Sequence, residues 1–254
     1  MNENQFKLLK APIVEAVVDI DCDLPPGRDV AALEIPAHDL LRAQYPIVRR
    51  LFVQTHQIQP QTDKPPVLSV HQAVQALQFL HPDQKQIVQF RAQGFSFNRL
   101  EPYGSLDDYL SEIERTWKLY VTVATPVQVR IVRLRYINRI HMPLSDGQVN
   151  LEEYLRVGPR LADEKRLTFT GFLYQYSAVE AGTGNQVSIV LTTHPPEAIN
   201  VLPLIFDITV EHHQPAEVEN WTWLLAQIQA LRGLKNGVFR NTLTEKCLNL
   251  FQQP

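Results

Sequence analysis

Apolar residues along this 254-residue chain recur with two periods, and breakers separate the segments. Residues 11–20 are an almost unbroken apolar run, which predicts a strand covered at least partly on both faces. Pro25-Pro26-Gly27 closes it. Residues 29–45 read as weakly helical, interrupted at Pro36 and ended before Pro46. Residues 54–66, dense in Gln and Pro, predict a loop or exposed irregular connection. Short strands are expected at 67–70, 76–80 and 86–91, with a turn at His81-Pro82-Asp83. Residues 94–100 add another, placing Phe95, Phe97 and Arg99 on one face.

The period then lengthens. Ser105 and Asp108 have the spacing of a capping box, and Leu106, Tyr109, Leu110, Ile113, Trp117, Tyr120 and Val121 follow as one helical stripe. Residues 130–141 return to strand character before the turn signal Pro143, Ser145, Asp146, Gly147. Beyond it, 151–155 predicts a short helix, and 167–179, 187–193 and 202–211 predict three strands. Gly182, Gly184, Asn185 and then Pro195-Pro196 mark the turns between them. Val218, Trp221, Leu224, Leu225, Ile228 and Leu231 form a second long amphipathic helix, expected to stop at Gly233. Thr244 caps a last helix carrying Cys247, Leu248 and Phe251.

Several strands followed by one long helix thus occur twice. The expected fold class is α+β with two similar halves, 1–143 and 144–254, each an antiparallel sheet with an amphipathic helix packed on one face. A second arrangement of such an internal duplication joins its halves edge to edge in one long curved sheet.

The length suffices for a substantial core, and 20 % charged against 44 % hydrophobic residues is ordinary for a globular chain. The net charge of −3 carries no global basic footprint for nucleic acid. Residues 1–145 hold 16 Lys and Arg against 15 acids, and residues 146–254 hold 8 against 12, so any basic patch belongs to the first part. The two cysteines, Cys22 and Cys247, form no Cys-x-x-Cys pair, and the expectation is two reduced, partly buried thiols. A polar start without a signal-peptide core and the lack of a spanning apolar run predict a cytoplasmic protein with no membrane attachment.

The chemistry concentrates in Arg130 to His141, which holds four arginines and no acid. As a strand, it sends Val132, Leu134, Tyr136, Asn138 and Ile140 to one face and Arg133, Arg135 and Arg139 to the other, about 7 Å apart per two-residue step. Guanidinium groups keep their charge and grip carboxylate or phosphate in a two-pronged geometry. The face is therefore either an anion-binding surface or a set of ion pairs to neighbouring strands, with Glu15 and Asp19 of the first strand as natural partners. Ion pairing is the preferred of the two.

Four stretches carry a family resemblance: Leu9 to Ala16, with its Ala-Pro-Ile-x-Glu-Ala motif; Phe95 to Tyr103; Leu134 to Ile140, with its Leu-Arg-Tyr-Ile-Asn motif; and Phe239 to Leu243. Together they span essentially the whole chain, which resembles a sporadically distributed bacterial family of proteins about this long. The resemblance implies a bacterial or mobile-element protein of the cytosol and brings no established activity or catalytic residue. It marks Glu15, Arg99, Arg135 and Asn138 as positions matching the family's motifs.

No Gly-rich phosphate loop, His-Glu-x-x-His or Gly-x-Ser-x-Gly is present, and the adjacent pair His212-His213 would point to opposite sides of a strand. No cofactor or metal site is therefore expected. Three readings of function stand. The first is a non-catalytic binding or regulatory protein, engaging a protein partner or a second copy as a homodimer. The second binds a phosphate-bearing ligand, nucleotide or nucleic acid through Arg133, Arg135, Arg139 and Arg99, with Glu15, Tyr136 and Asn138 alongside. The third is a hydrolase with Glu15 or Asp19 as base.

Overall fold

The arginine-bearing strand is the seam of the molecule. In a computed structural model, describing residues 8–61, 64–145, 147–163, 166–195 and 200–252 with backbone alone over 56–61 and 64–69, it is strand β6 (Gln128–Pro143). On one side it pairs antiparallel with β1 (Ile13–Asp23), and on the other with β9 (Val201–Ala216). From β1 the chain passes through a 3-10 turn and helix α1 (Glu34–Leu41) into β2 (Ile47–Gln61), β3 (Lys64–Leu80), β4 (Gln86–Arg91) and β5 (Gly94–Leu100). β5 comes back to pair with β1, and α2 (Leu110–Ala124) then lies on β5. After β6, strands β7 (Leu173–Val179) and β8 (Gln186–Thr193) lead to β9, and α3 (Trp221–Thr242) packs on β6 and β9. The short α4 (Glu245–Asn249) follows.

The result is an α+β chain built on one nine-stranded sheet in the order β2-β3-β4-β5-β1-β6-β9-β8-β7, with each neighbouring pair antiparallel. Strand alternation decides which face is covered. Ala16, Val18, Ile20 and Cys22 of β1, Phe95 and Phe97 of β5, Leu134 and Tyr136 of β6, and Phe206 and Ile208 of β9 turn to one side, where Ile113, Trp117 and Tyr120 of α2 and Leu224, Ile228 and Leu231 of α3 complete a single core. Trp117 stacks edge-on to Phe95 and donates from Nε1 to Val218 O at 3.1 Å, tying α2 to the segment that leads into α3. The opposite face carries no helix among the described elements.

Several expectations are corrected. Residues 54–61 and 64–66 are strand, not a loop (62–63, and Asp146 of the later turn, lie outside the described residues). Their prolines fall where the β2–β3 register shifts, between Gln59 and Gln61, and β4 runs beside β3 only from Ala76 onward. The second long helix does not stop at Gly233 but runs to Thr242, because Leu231, Lys235, Phe239 and Thr242 continue its buried stripe. Pro36 sits in the first turn of α1, where its lost N–H had no helical partner. β7 starts at Leu173 instead of 167. Ser105 and Asp108 do form a reciprocal capping box, on a 3-10 turn that leads into α2. No described helix is long and apolar enough to cross a membrane.

Candidate functional site

The register of the sheet assembles polar side chains on the helix-free face. It sets Gln89 beside Ser96, Ser96 beside Asp19, Asp19 beside Arg133 and Arg133 beside Glu211, so residues of five strands share one transverse row. Arg133 is the hub. Its Nε donates to Glu211 Oε1 at 2.5 Å, its Nη2 to Asp21 Oδ2 at 3.3 Å, and its Nη1 lies 3.5 Å from Asp19 Oδ2. Arg91 reaches in from β4, with Nη2 at 2.7 Å from Asp21 Oδ1 and 3.3 Å from Asp19 Oδ1. Ser96 Oγ donates to Asp19 Oδ1 at 2.5 Å, and His213 Nε2 lies 2.8 Å from Glu211 Oε2. Two guanidiniums thus bridge three carboxylates in an interlocked cluster.

A second ladder, of amides, crosses four strands. Gln78 Nε2 donates to Gln89 Oε1 at 3.2 Å, Gln89 Nε2 to Asn98 Oδ1 at 2.8 Å, and Asn98 Nδ2 to Glu15 Oε1 at 2.7 Å. Glu15 therefore receives an amide. Arg135 turns towards β9 and grips Asp207 with Nε at 3.0 Å from both oxygens and Nη2 at 2.6 Å from Oδ2. Arg135 keeps 46 % of its side chain exposed against 21 % for Arg133. Between them, Asp19, Asp207, Ser188 and Thr209 line a shallow depression of about 310 Å³.

These contacts decide the charge states. Burial works to raise the Glu211 carboxyl, but the hydrogen bond and charge of Arg133, with His213 behind, outweigh it and hold the group below its ordinary value. Burial likewise opposes the charge on Arg133, and the hydrogen bond to Glu211 with the charges of Asp21, Glu211 and Asp19 prevails. For Arg135 the hydrogen bond it donates to Asp207 is the largest influence, and it too holds the guanidinium charged.

The residues singled out in the sequence divide between the two faces. Arg133, Arg135, Arg139 and Glu15 lie on the helix-free face, Arg139 one step beyond Ile137 with its backbone N–H donating to Pro12 O at 2.8 Å. Tyr136 and Asn138 lie in the core. Tyr136 meets Tyr103 hydroxyl to hydroxyl at 3.1 Å, and Asn138 Nδ2 donates to Phe206 O at 2.9 Å. Arg99 is also on the helix side, 5.4 Å from the Tyr109 ring centroid and 3.5 Å from Asp83. Four partners were not singled out: Arg91, Asp21, Asp207 and Glu211. Alternation within 86–91 could have exposed Arg91, since Val88 and Phe90 are core and Arg91 must face away.

Both cysteine thiols are buried and held protonated. Burial pushes the Cys22 thiol up to about 11, beside Tyr120 Oη at 3.4 Å, and the Cys247 thiol up to about 12. Among the described residues no group of three or more His, Cys, Asp or Glu side chains is placed to hold a metal ion. No family model, curated protein or solved structure matches the chain.

Proposed function

We propose that this chain is a non-catalytic binding protein, and that the helix-free face of its sheet receives a protein partner. The observation that carries this reading is the Arg133 cluster. Its guanidinium is saturated by Asp19, Asp21 and Glu211, so the charges of this face hold one another in place instead of standing ready as base or nucleophile. The Arg135–Asp207 pair at the depression offers an incoming chain one donor and one acceptor group, which suits a partner carrying both signs of charge.

The half-exposed Arg135 favours a second reading, in which a single phosphate or carboxylate displaces Asp207. A polyanion fits less well. The face sets Glu15, Asp19, Asp21, Asp207 and Glu211 against Arg91, Arg133, Arg135 and Arg139 among the described residues.

The proposal extends to the ancestry of the chain. Each of the segments 1–143 and 144–254 holds antiparallel strands and one long helix, α2 lying on β5 in the first and α3 on β9 and on the neighbouring β6 in the second. That order supports an internal duplication joined edge to edge. From the motifs of the sequence alone, we also propose that the chain belongs with the bacterial, cytosolic family it resembles.

The test uses the full chain as bait in a bacterial extract, beside an Arg135→Ala, Asp207→Ala double variant of matched melting temperature. A captured protein lost from the variant supports the reading. Capture that ignores the variant, or no capture by either form, overturns it.

A further inference from the structure

Past Ala76, β3 no longer has β4 at its side, and β2 and β3 continue alone as a two-stranded ribbon paired from Phe52↔Val74 to Gln61↔Lys64. An isolated two-stranded ribbon is marginal in water. This one is also apolar where it meets solvent: Leu51, Phe52, Val53 and Val70 are 41–52 % exposed. Leu51, Phe52 and Val53 are consecutive, so the apolar side chains occupy both faces. The outer edge of β2 is unpaired along its length among the described residues, because β2 ends the sheet. Sheets ordinarily guard such an edge with charge or proline. From Leu51 to Gln59 there is neither.

We infer that β2 pairs edge to edge, antiparallel, with β2 of a second copy of this chain, joining two nine-stranded sheets across a two-fold axis. Symmetry and charge select a second copy over a different partner. A two-fold pairing sets the strand against its own reversed image, so it tolerates no concentration of one charge. The run from Leu51 to Gln59 is uncharged and centred on Thr55; between Leu51 and Gln75 the charged residues are Asp63 and Lys64 alone, at the far end. With the axis at Thr55, that residue meets its own copy, Leu51 meets Gln59, and Arg49 and Arg50 fall opposite Gln61 and Pro60. The ribbon is separate from the Arg135 depression, so this inference does not depend on the function proposed above.

The test is the mass of the full chain by light scattering across a dilution series, with two substitutions on the axis. The unaltered chain should give twice the 29.1 kDa of one copy. Thr55→Lys, which sets like charges face to face, should halve that mass and leave the melting transition in place. Thr55→Cys should form a covalent dimer on mild oxidation while Gln72→Cys, on β3, does not; the native Cys22 and Cys247 are buried and do not compete. A single-copy mass at every concentration overturns the inference. So does a dimer that Thr55→Lys leaves whole, or a ribbon that captures a different protein in place of its own copy.

Discussion

The ammonium of Lys235, on α3, lies 4.0 Å from the centroid of the Tyr136 ring, on β6, inside the core. Burial, reinforced by the charge of Arg232 one turn away, pushes its pKa down to about 7. The ring face offsets part of that cost. The folded chain therefore binds fewer protons than the unfolded chain between about 7 and the ordinary lysine value near 10.4. Stability should rise with pH through that window and be lowest below it, where both states carry the charge. Lys235→Met should abolish the slope and stabilise the protein at neutral pH by about 1–3 kcal/mol. Urea midpoints measured across the window check this, and an equal slope in the variant would refute it.

Arg133 and Arg135 are adjacent on one face, yet they should differ sharply. Arg133→Ala strips three carboxylates of a shared, mostly buried cation, with Arg91 left to serve Asp19 and Asp21 and, among the described residues, His213 left to serve Glu211. A loss of about 3 kcal/mol is expected. Arg135→Ala removes a half-exposed pair with Asp207 and should cost less than about 1 kcal/mol. Equilibrium unfolding of both variants separates the cases; comparable losses would mean that burial does not control the energetics of this face.

The two faces of β6 are visible from alternation alone, because the signal lies within one strand. The partners of Arg133 are not. Glu211 is 78 residues away and Asp21 is 112, and which acid meets which arginine depends on the register of strands that meet only in the fold. Hence Arg135 found Asp207, and Glu15 took an amide from Asn98. The prolines of 60–66 misled for the reverse reason: their local signal is a loop, and the shifted register at the end of the ribbon, which only the fold shows, accommodates them in strands. Gly233 is a stop signal that tertiary packing of Lys235 and Phe239 overrides.

Glu211 should shape the acid limb of stability. Its folded pKa is held below the unfolded value, so its contribution is complete above about pH 4.3 and is lost as pH falls through the lower, folded value. Glu211→Gln should be less stable than the parent at neutral pH, and the gap should close as the solution is acidified. Unfolding midpoints taken at descending pH test it; a gap that stays constant would assign the loss to packing instead of charge.

Gly94 opens β5 opposite Asp21 of β1 and Arg91 of β4, at a backbone φ of +141° that side chains disfavour. A Cβ there would stand 2.2 Å from Ile20 O and 2.8 Å from Asp21 Cα, both backbone atoms of the neighbouring strand. Neither can swing aside as a side chain would, so β1 and β5 must part at the point where Arg91 holds Asp21. Gly94→Ala should therefore cost about 3 kcal/mol or more. Gly182 supplies the control, because it shares a positive φ of +90° but its Cβ would meet nothing within 4 Å. Its alanine variant should lose only the conformational preference, about 1 kcal/mol. Thermal unfolding of the pair distinguishes steric contact from backbone preference: equal losses would show that the close approach of β1 to Gly94 contributes nothing.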